Sequence, residues 1–477
     1  MSAIRNRCDP LSGNRRVALV LALIAVNFVY FISSAYITCS NDGSHFALVS
    51  ALAENGSVKI RDFVEYTQMY DFAYKDGEYY SDRTPGTAFL AVPFYCCGKL
   101  ASGSGLAGRL SGRVNIGEVF VIFLPNIAGT LSVFLMFTLC RHFGFDYATS
   151  LFSCIVFALC TPAWFESTRL FSHAVSMAAV LAAVCLLVTT ERFDGARRGR
   201  IVWVCALLAL ASIVEIQNIL VVFACGLYLL LSGKKGVYTK KFLTSLLPAA
   251  LAFAAIYSAL LVYNYRAFDE LTVKSNKYHA LFTYERTFST AMSGDVLAGL
   301  DRLYTNLGNP GIISDWPRGI NNDAPGLFVL SPLLLLSVFG FCIFFRRHAR
   351  EALLFAVIIA AESLAAAVHT GDVSTRYATT VLPYLFFPAV FVVDRALARV
   401  RDEGASPFGR FALFTVVVAL CLLSSARVYY VMNAHWGRSL SSPFMFLHEL
   451  PSYAVFYGVL ALAVFLIRRL MKRRGGA

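Results

Sequence analysis

The chain has little charge. Of its 477 residues, 15% are Asp, Glu, Lys or Arg, 57% are hydrophobic, and the mean hydropathy is +0.62. A soluble domain carries about a quarter charged residues, so a string of ordinary soluble domains is excluded. There is no Walker phosphate loop and no strand-led Rossmann glycine turn, which removes the usual nucleotide sites. Among the 12 cysteines there is no CxxC pair and no Cys/His zinc spacing. Cys140, Cys154, Cys160, Cys185, Cys205, Cys225, Cys342 and Cys421 fall in or at the ends of apolar runs, where cysteine acts as a small hydrophobe. Cys96 and Cys97 are adjacent and cannot easily bridge each other. No internal repeat, low-complexity linker or soluble terminal domain is expected.

Long apolar runs are what the chain does have, and they predict an all-α polytopic membrane protein. The net charge of +13 would point to nucleic acid in a soluble protein. Here the bases sit in short loops beside apolar runs, so membrane orientation accounts for them and no nucleic-acid partner is expected. The first run, Val17 to Thr38, exceeds a signal-peptide core and lacks a small-residue cleavage site, which predicts a retained helix. Arg5, Arg7, Arg15 and Arg16 precede it and place the N-terminus inside.

Further spans are expected at about 114–140, 147–163, 173–190, 242–263, 325–345, 352–368, 379–393, 411–431 and 452–467. Residues 201–232 are apolar but basic at both ends, which predicts a hairpin with arms of about 15 residues, or about 22 Å, against a core of about 30 Å. Its tip, VEIQN with Glu215 and Gln217, falls in the outer half of the membrane on this reading. The sum is a single unit over 1–477 with about 11–12 transmembrane helices and both termini cytoplasmic. Large outer loops span 39–112, with surface helices, and 264–324.

Polar residues gather at the outer ends of these spans: Asp42 and His45; Asp82, Arg83 and Pro85; Glu166, Arg169 and His173; Arg266, Asp315, Arg318 and Asp323; Asp372, Arg376 and Tyr377. Converging loops would make a cavity at headgroup level. Arginine forks suit phosphate, and a carboxylate suits removal of a proton from a hydroxyl. Each residue also has a plainer reading. Asp42 in NDGSHFAL can cap an amphipathic surface helix. Arg83 can be an interfacial snorkeller, and His173 a structural hydrogen-bonder. Glu215 and Glu362 in apolar runs favour a cavity role, although Glu362 can simply pair with an arginine.

The order of these pieces resembles the C-type glycosyltransferases (GT-C fold), membrane enzymes that use polyprenyl-phosphate sugars. NDGSHFALVSAL resembles the acidic motif after the first helix of protein O-mannosyltransferases and of lipid A aminoarabinose transferases. YYSDRTPGTAFLAVPFY resembles the basic-x-Pro segment that ends the same loop. STRLFSHA, YNYRAF, WPRGINNDAPGLFVLSPLLLL and TRYATTVLPYLFFP resemble stretches of a related prokaryotic group, so the likeness runs over about 36–393.

It implies an inverting transfer of a sugar from a polyprenyl-phosphate donor to a hydroxyl of a glycan, lipid or protein acceptor, with membrane lipids as surroundings, in a prokaryotic cytoplasmic membrane. Asp42 would be the general base and Arg83 the contact to the donor phosphate. Arg376 and Arg318 are chosen as helpers by position and charge. His45 and His173 would orient Asp42 or the donor, Asp82 would fix Arg83 or take a sugar hydroxyl, and Arg169 and Glu215 would support. The mannosyltransferases carry two adjacent acids where this chain has Asn41-Asp42-Gly43. A tight divalent-metal site there is not expected, and no cofactor is required. The alternatives are a transporter or flippase of lipid-linked sugars, a non-catalytic glycan-assembly protein, and a glycan ligase or polymerase using lipid-diphosphate donors.

Overall fold

The computed structural model describes residues 11–34, 36–102, 116–189, 195–232, 240–281, 296–306, 325–368, 375–402 and 406–436. Arg318, Asp315, Asp323, Asp372 and the expected span at 452–467 lie outside the described residues.

The first helix, α1 (Gly13–Ile32), leads into the first loop. That loop contains α2 (Ser40–Asn55), a 3-10 turn (Arg61–Thr67), a hairpin of β1 (Ala73–Lys75) and β2 (Glu78–Tyr80), and α3 (Gly86–Ser102). Next come α4 (Ile116–Val121), α5 (Phe123–His142), α6 (Tyr147–Cys160), α7 (Ala163–Glu166) and α8 (Ser172–Val188). The predicted hairpin is α9 (Gly195–Val214) and α10 (Ile219–Ser232). It is followed by α11 (Lys240–Phe268), α12 (Val296–Tyr304), α13 (Leu327–Leu330), α14 (Leu336–Arg347) and α15 (Ala349–Ala367). A 3-10 turn (Thr375–Val381), α16 (Leu382–Arg401) and α17 (Pro407–Trp436) complete the described chain.

Five described segments are long and apolar enough to cross a membrane: Gly13–Ile32, Ile116–His142, Leu246–Phe268, Thr375–Arg401 and Ala412–Tyr429. Four shorter apolar helices lie among them. The molecule is a multi-pass, all-α integral membrane protein. The main core packs α5, α6, α8 and α16 around Phe157, Phe344, Phe386 and Phe387, while outward faces of α1, α11 and α14 stay apolar and exposed. Such faces suit lipid rather than water. The first arm of the hairpin begins at Gly195 rather than Ile201, but the added residues are GARRGR, so its apolar part, Gly199–Val214, stays among the shorter helices.

The first loop folds back on itself. Residues Asp42 to Ala51 of α2 are all buried, so this helix is enclosed rather than lying amphipathically on a surface. Gly43 makes that enclosure possible: a Cβ there would stand 1.8 Å from the Tyr66 carbonyl oxygen of the 3-10 turn. Gly43→Ala is therefore expected to lower stability by about 3 kcal/mol or more through forced separation of the two segments, read as thermal unfolding in detergent. The β-hairpin is an addition to the sequence reading. Its Asp76-Gly77 turn has positive φ at both residues, the type I′ geometry that matches strand twist. Ala73 bridges His279, and the Ala280 N–H donates to the Phe72 carbonyl at 3.0 Å. The chain after α11 is thus paired onto the first loop. The other end of that loop docks on the α9–α10 tip. Thr84 Oγ1 donates to the Val214 carbonyl at 2.6 Å, and a Cβ at Gly86 would stand 2.5 Å from the Ile213 carbonyl oxygen.

Candidate active site

These contacts bring the end of the first loop, the start of α8, the hairpin tip and the 3-10 turn before α16 together. Arg83 is the centre of one half. Its Nη2 lies 2.8 Å from Asp71 Oδ2 and its Nε 3.4 Å from Asp82 Oδ2, with 27% of the side chain exposed. Ser40 donates to Asp71 Oδ2 at 2.7 Å, and Ser44 to Asp82 Oδ1 at 2.9 Å. His279 Nε2 stands 3.7 Å from Asp71 and 3.9 Å from Asp82. Those separations are electrostatic approaches rather than hydrogen bonds. Burial pushes the Asp71 carboxyl up, but His279, Arg83 and Ser40 together outweigh it and hold it below the usual range.

Asp42 occupies the third position of α2. Its Oδ1 accepts the Cys39 N–H at 2.9 Å and its Oδ2 the Thr38 N–H at 3.2 Å. The plainer reading, an acid capping a helix, is met by this geometry. Asp42 is also 0% exposed. Burial raises its pKa, opposed by the nearby Arg169 guanidinium and by the two backbone N–H groups. Such a carboxylate is more basic than one in water.

The second half surrounds Glu215. His173 Nδ1 pairs with Glu215 Oε1, Ser172 donates to the same oxygen at 2.8 Å, and Thr380 reaches Oε2 at 3.5 Å. Arg376 lies over the Tyr377 ring at 5.1 Å, and Arg169 over Phe165 at 4.6 Å. Glu166 is buried beside His173, Arg376 and Arg169; burial pushes its carboxyl up and those cations oppose the rise. His45 links the halves. Burial, then the charge of Arg83, pushes its imidazole down to about 3, so it is neutral at working pH.

Asp42, His45, Asp82, Arg83, Arg169, His173, Glu215 and Arg376 thus form one connected electrostatic cluster. Arg318 lies outside the described residues, and Arg266 is exposed. His173 is held by Glu215, and among the described residues neither it nor His45 hydrogen-bonds Asp42. Asp71 and His279 carry no distinguishing signal in the sequence, because only the inter-loop pairing joins them.

Asp71, Asp82 and His279 offer ligand atoms all within 4.8 Å of one another. Two carboxylates and an imidazole are a fitting donor set for a divalent metal. Arg83 already supplies positive charge to both carboxylates.

No family model matches the chain, and no curated protein matches it. Solved structures do. The Archaeoglobus fulgidus oligosaccharyltransferase in the apo form aligns at TM-score 0.54 and 11% identity, over 87% of this chain and 56% of that one. ArnT from Cupriavidus metallidurans bound to undecaprenyl phosphate gives 0.51 and 12%, over 89% and 76%. The Saccharomyces cerevisiae protein O-mannosyltransferase Pmt1-Pmt2 complex bound to the sugar donor gives 0.50 and 10%, over 91% and 92%. All three are GT-C enzymes.

The chain has the GT-C fold.

At these identities the likeness is one of architecture. This chain spans just over half the length of the archaeal enzyme. Within the GT-C fold, the cluster built here lies where the first loop returns to the helix bundle.

Proposed function

We propose that this protein is an inverting glycosyltransferase that moves a sugar from a polyprenyl-phosphate donor to a hydroxyl acceptor on the outer face of the membrane. The observation that carries the reading is the buried cluster itself: three arginines, Arg83, Arg169 and Arg376, beside a desolvated carboxylate, Asp42, at one end of a GT-C bundle. Two relatives of the same fold support the donor class, one bound to undecaprenyl phosphate and one to its sugar donor. The basic residues flanking the spans support the orientation, with both termini cytoplasmic and the loops 39–112 and 264–324 outside.

In the proposed reaction Asp42 takes the proton from the acceptor hydroxyl as its oxygen attacks the anomeric carbon. The bond from that carbon to the phosphate oxygen breaks, and polyprenyl phosphate leaves from the opposite face with inversion. Arg83 and Arg376 stabilise the charge that develops on the leaving phosphate. Asp82 and Asp71 hold Arg83 in place, and Glu215 with His173 fixes the hairpin tip. The acceptor is a glycan, lipid or protein hydroxyl.

The test is sugar transfer from polyprenyl-phosphate sugars in membranes containing the protein, together with the mass of the copurifying lipid. Absence of both transfer and any bound polyprenyl phosphate would sink the reading. The commitment of both Asp42 oxygens to the helix cap favours the second reading, a non-catalytic binder of lipid-linked sugar.

The reading routes no step through a metal, since the Arg83 guanidinium already lies against both Asp71 and Asp82. A metal held by Asp71, Asp82 and His279 would supply Lewis-acid stabilisation of a phosphate oxygen. Dialysis against EDTA is expected to leave transfer unchanged. A loss restored by Zn²⁺ or Mn²⁺ would transfer the phosphate role from Arg83 to the metal.

A further inference from the structure

Beyond Glu215, and within its electrostatic reach, stands a second buried acid, Glu362. This residue lies in the last third of α15, within the run AAESLAAA, and is 0% exposed. Neither carboxyl oxygen accepts a hydrogen bond from any described residue. Glu215 faces it electrostatically, and the Gln217 amide is within reach but outside hydrogen-bond geometry. Arginine pairing, the plain sequence explanation for Glu362, is not found among the described residues.

Its surroundings share the same condition. Gln217 Nε2, Asn218 Oδ1, Thr379 Oγ1 and the Tyr384 hydroxyl are all buried and unpartnered among the described residues. Tyr384 also feels the Glu362 charge. With the two Glu362 oxygens this makes six such atoms on three adjoining segments. Native interiors hold few unsatisfied polar groups, so a local concentration calls for a ligand. The mixture identifies the ligand class. Tyr384, Thr379 and Gln217 can donate, while Glu362 and Asn218 can accept. An ammonium group only donates and would leave the donors unmet; hydroxyls do both. The set therefore fits a ring bearing several hydroxyls. It adjoins Glu215, whose own charge is already answered by His173.

We propose that Glu362, Gln217 and Tyr384 form the subsite that holds the sugar ring of the lipid-linked donor and select among sugars. The inference rests on the glycosyl-transfer reading and deepens it. The arginines hold the phosphate at one end, and this polar cluster reads the hydroxyl pattern at the other. A pocket built to bond a hydroxyl discriminates strongly against ligands that lack it, since its own polar groups are then left unpaired.

The test measures binding of full-length protein in detergent to polyprenyl phosphate, and to a panel of polyprenyl-phosphate sugars comprising a hexose, an N-acetylhexosamine, a pentose and an aminopentose. Wild type is expected to bind one panel member more tightly than the sugar-free lipid. Glu362→Leu is expected to weaken that member by about tenfold or more and to leave the sugar-free lipid unchanged. Glu362→Gln, which keeps shape and hydrogen-bonding capacity, should fold normally and change the rank order within the panel. Equal weakening of sugar-bearing and sugar-free lipid in both variants would make Glu362 structural and overturn the proposal. So would unchanged affinities, or a wild type that prefers no panel member over the sugar-free lipid. A wild type that binds polyprenyl phosphate but shows no transfer overturns the enzymatic reading while the sugar subsite stands or falls on the affinity ratio. A wild type that binds none of these lipids overturns both.

Discussion

Asp42→Asn is expected to abolish sugar transfer, lowering the rate by about 10²–10⁴-fold, the usual contribution of a positioned general base, while expression, unfolding temperature and lipid binding stay close to wild type. The substitution separates chemistry from structure. An amide oxygen can still accept the Cys39 or Thr38 N–H, so much of the helix cap survives, but the amide cannot take a proton from a hydroxyl. Asp42→Ala removes both functions and should also lower stability by about 1 kcal/mol. Transfer assayed in membranes and thermal unfolding in detergent check the pair. Full transfer by the Asn variant would remove Asp42 as the base and leave the cap as its role. Loss of unfolding temperature in the Asn variant equal to that in the Ala variant would mean that the charge itself holds α2 in place.

Arg83→Ala should have the second large effect, on donor affinity and on stability together. The guanidinium lies between Asp71 and Asp82, so its removal leaves two buried carboxylates facing each other. Breaking a buried pair from one side typically destabilises by about 3–5 kcal/mol. The effect has a defined pH dependence. The folded-state pKa of Asp71 is depressed, so its contribution is present above the unfolded value of about 4 and is lost as pH falls through the folded one. The gap in unfolding temperature between wild type and Arg83→Ala is therefore expected to be largest near neutrality and to shrink on acidification below about pH 4. Arg83→Lys should recover most of the stability but less of the donor affinity, because an ammonium lacks the paired donors that match a phosphate. Unchanged affinity for polyprenyl phosphate in the Ala variant would end the phosphate role of Arg83.

The membrane class was legible because it rests on composition and run length, which depend on the bilayer rather than on tertiary contacts. The turn-around between Arg200 and Lys234 was legible for a similar reason, since like charges at both ends of an apolar run force the chain to return. Its function in the site was partly legible. An acid placed at Glu215 in hydrocarbon needs a partner, but nothing in the spacing named His173 as that partner. The same holds for Glu362. The sequence marked it as costly, and only the structure shows that arginine pairing is not its resolution among the described residues.

The opening motif divides in the same way. Asn41-Asp42-Gly43 fixed an acid and a glycine next to the first span. That the glycine is required by the Tyr66 carbonyl, and that the acid points both at a helix cap and toward Arg169, follows from loop packing. Asp71, from farther along the loop, joins Asp82 around Arg83, a partnership that likewise follows from loop packing.

By itself the sequence determined that this chain crosses a membrane many times and gathers many of its polar residues at the ends of apolar runs, because hydropathy and charge act locally along the chain. The tertiary structure alone decided which of those residues meet. His279 reaches Asp71 by pairing onto the edge of the first-loop hairpin, Arg83 is carried to the cluster by Thr84 and Gly86 docking on the α9–α10 tip, and Glu215 closes on His173. Those partnerships join positions far apart in the chain, and no local periodicity or spacing encodes them.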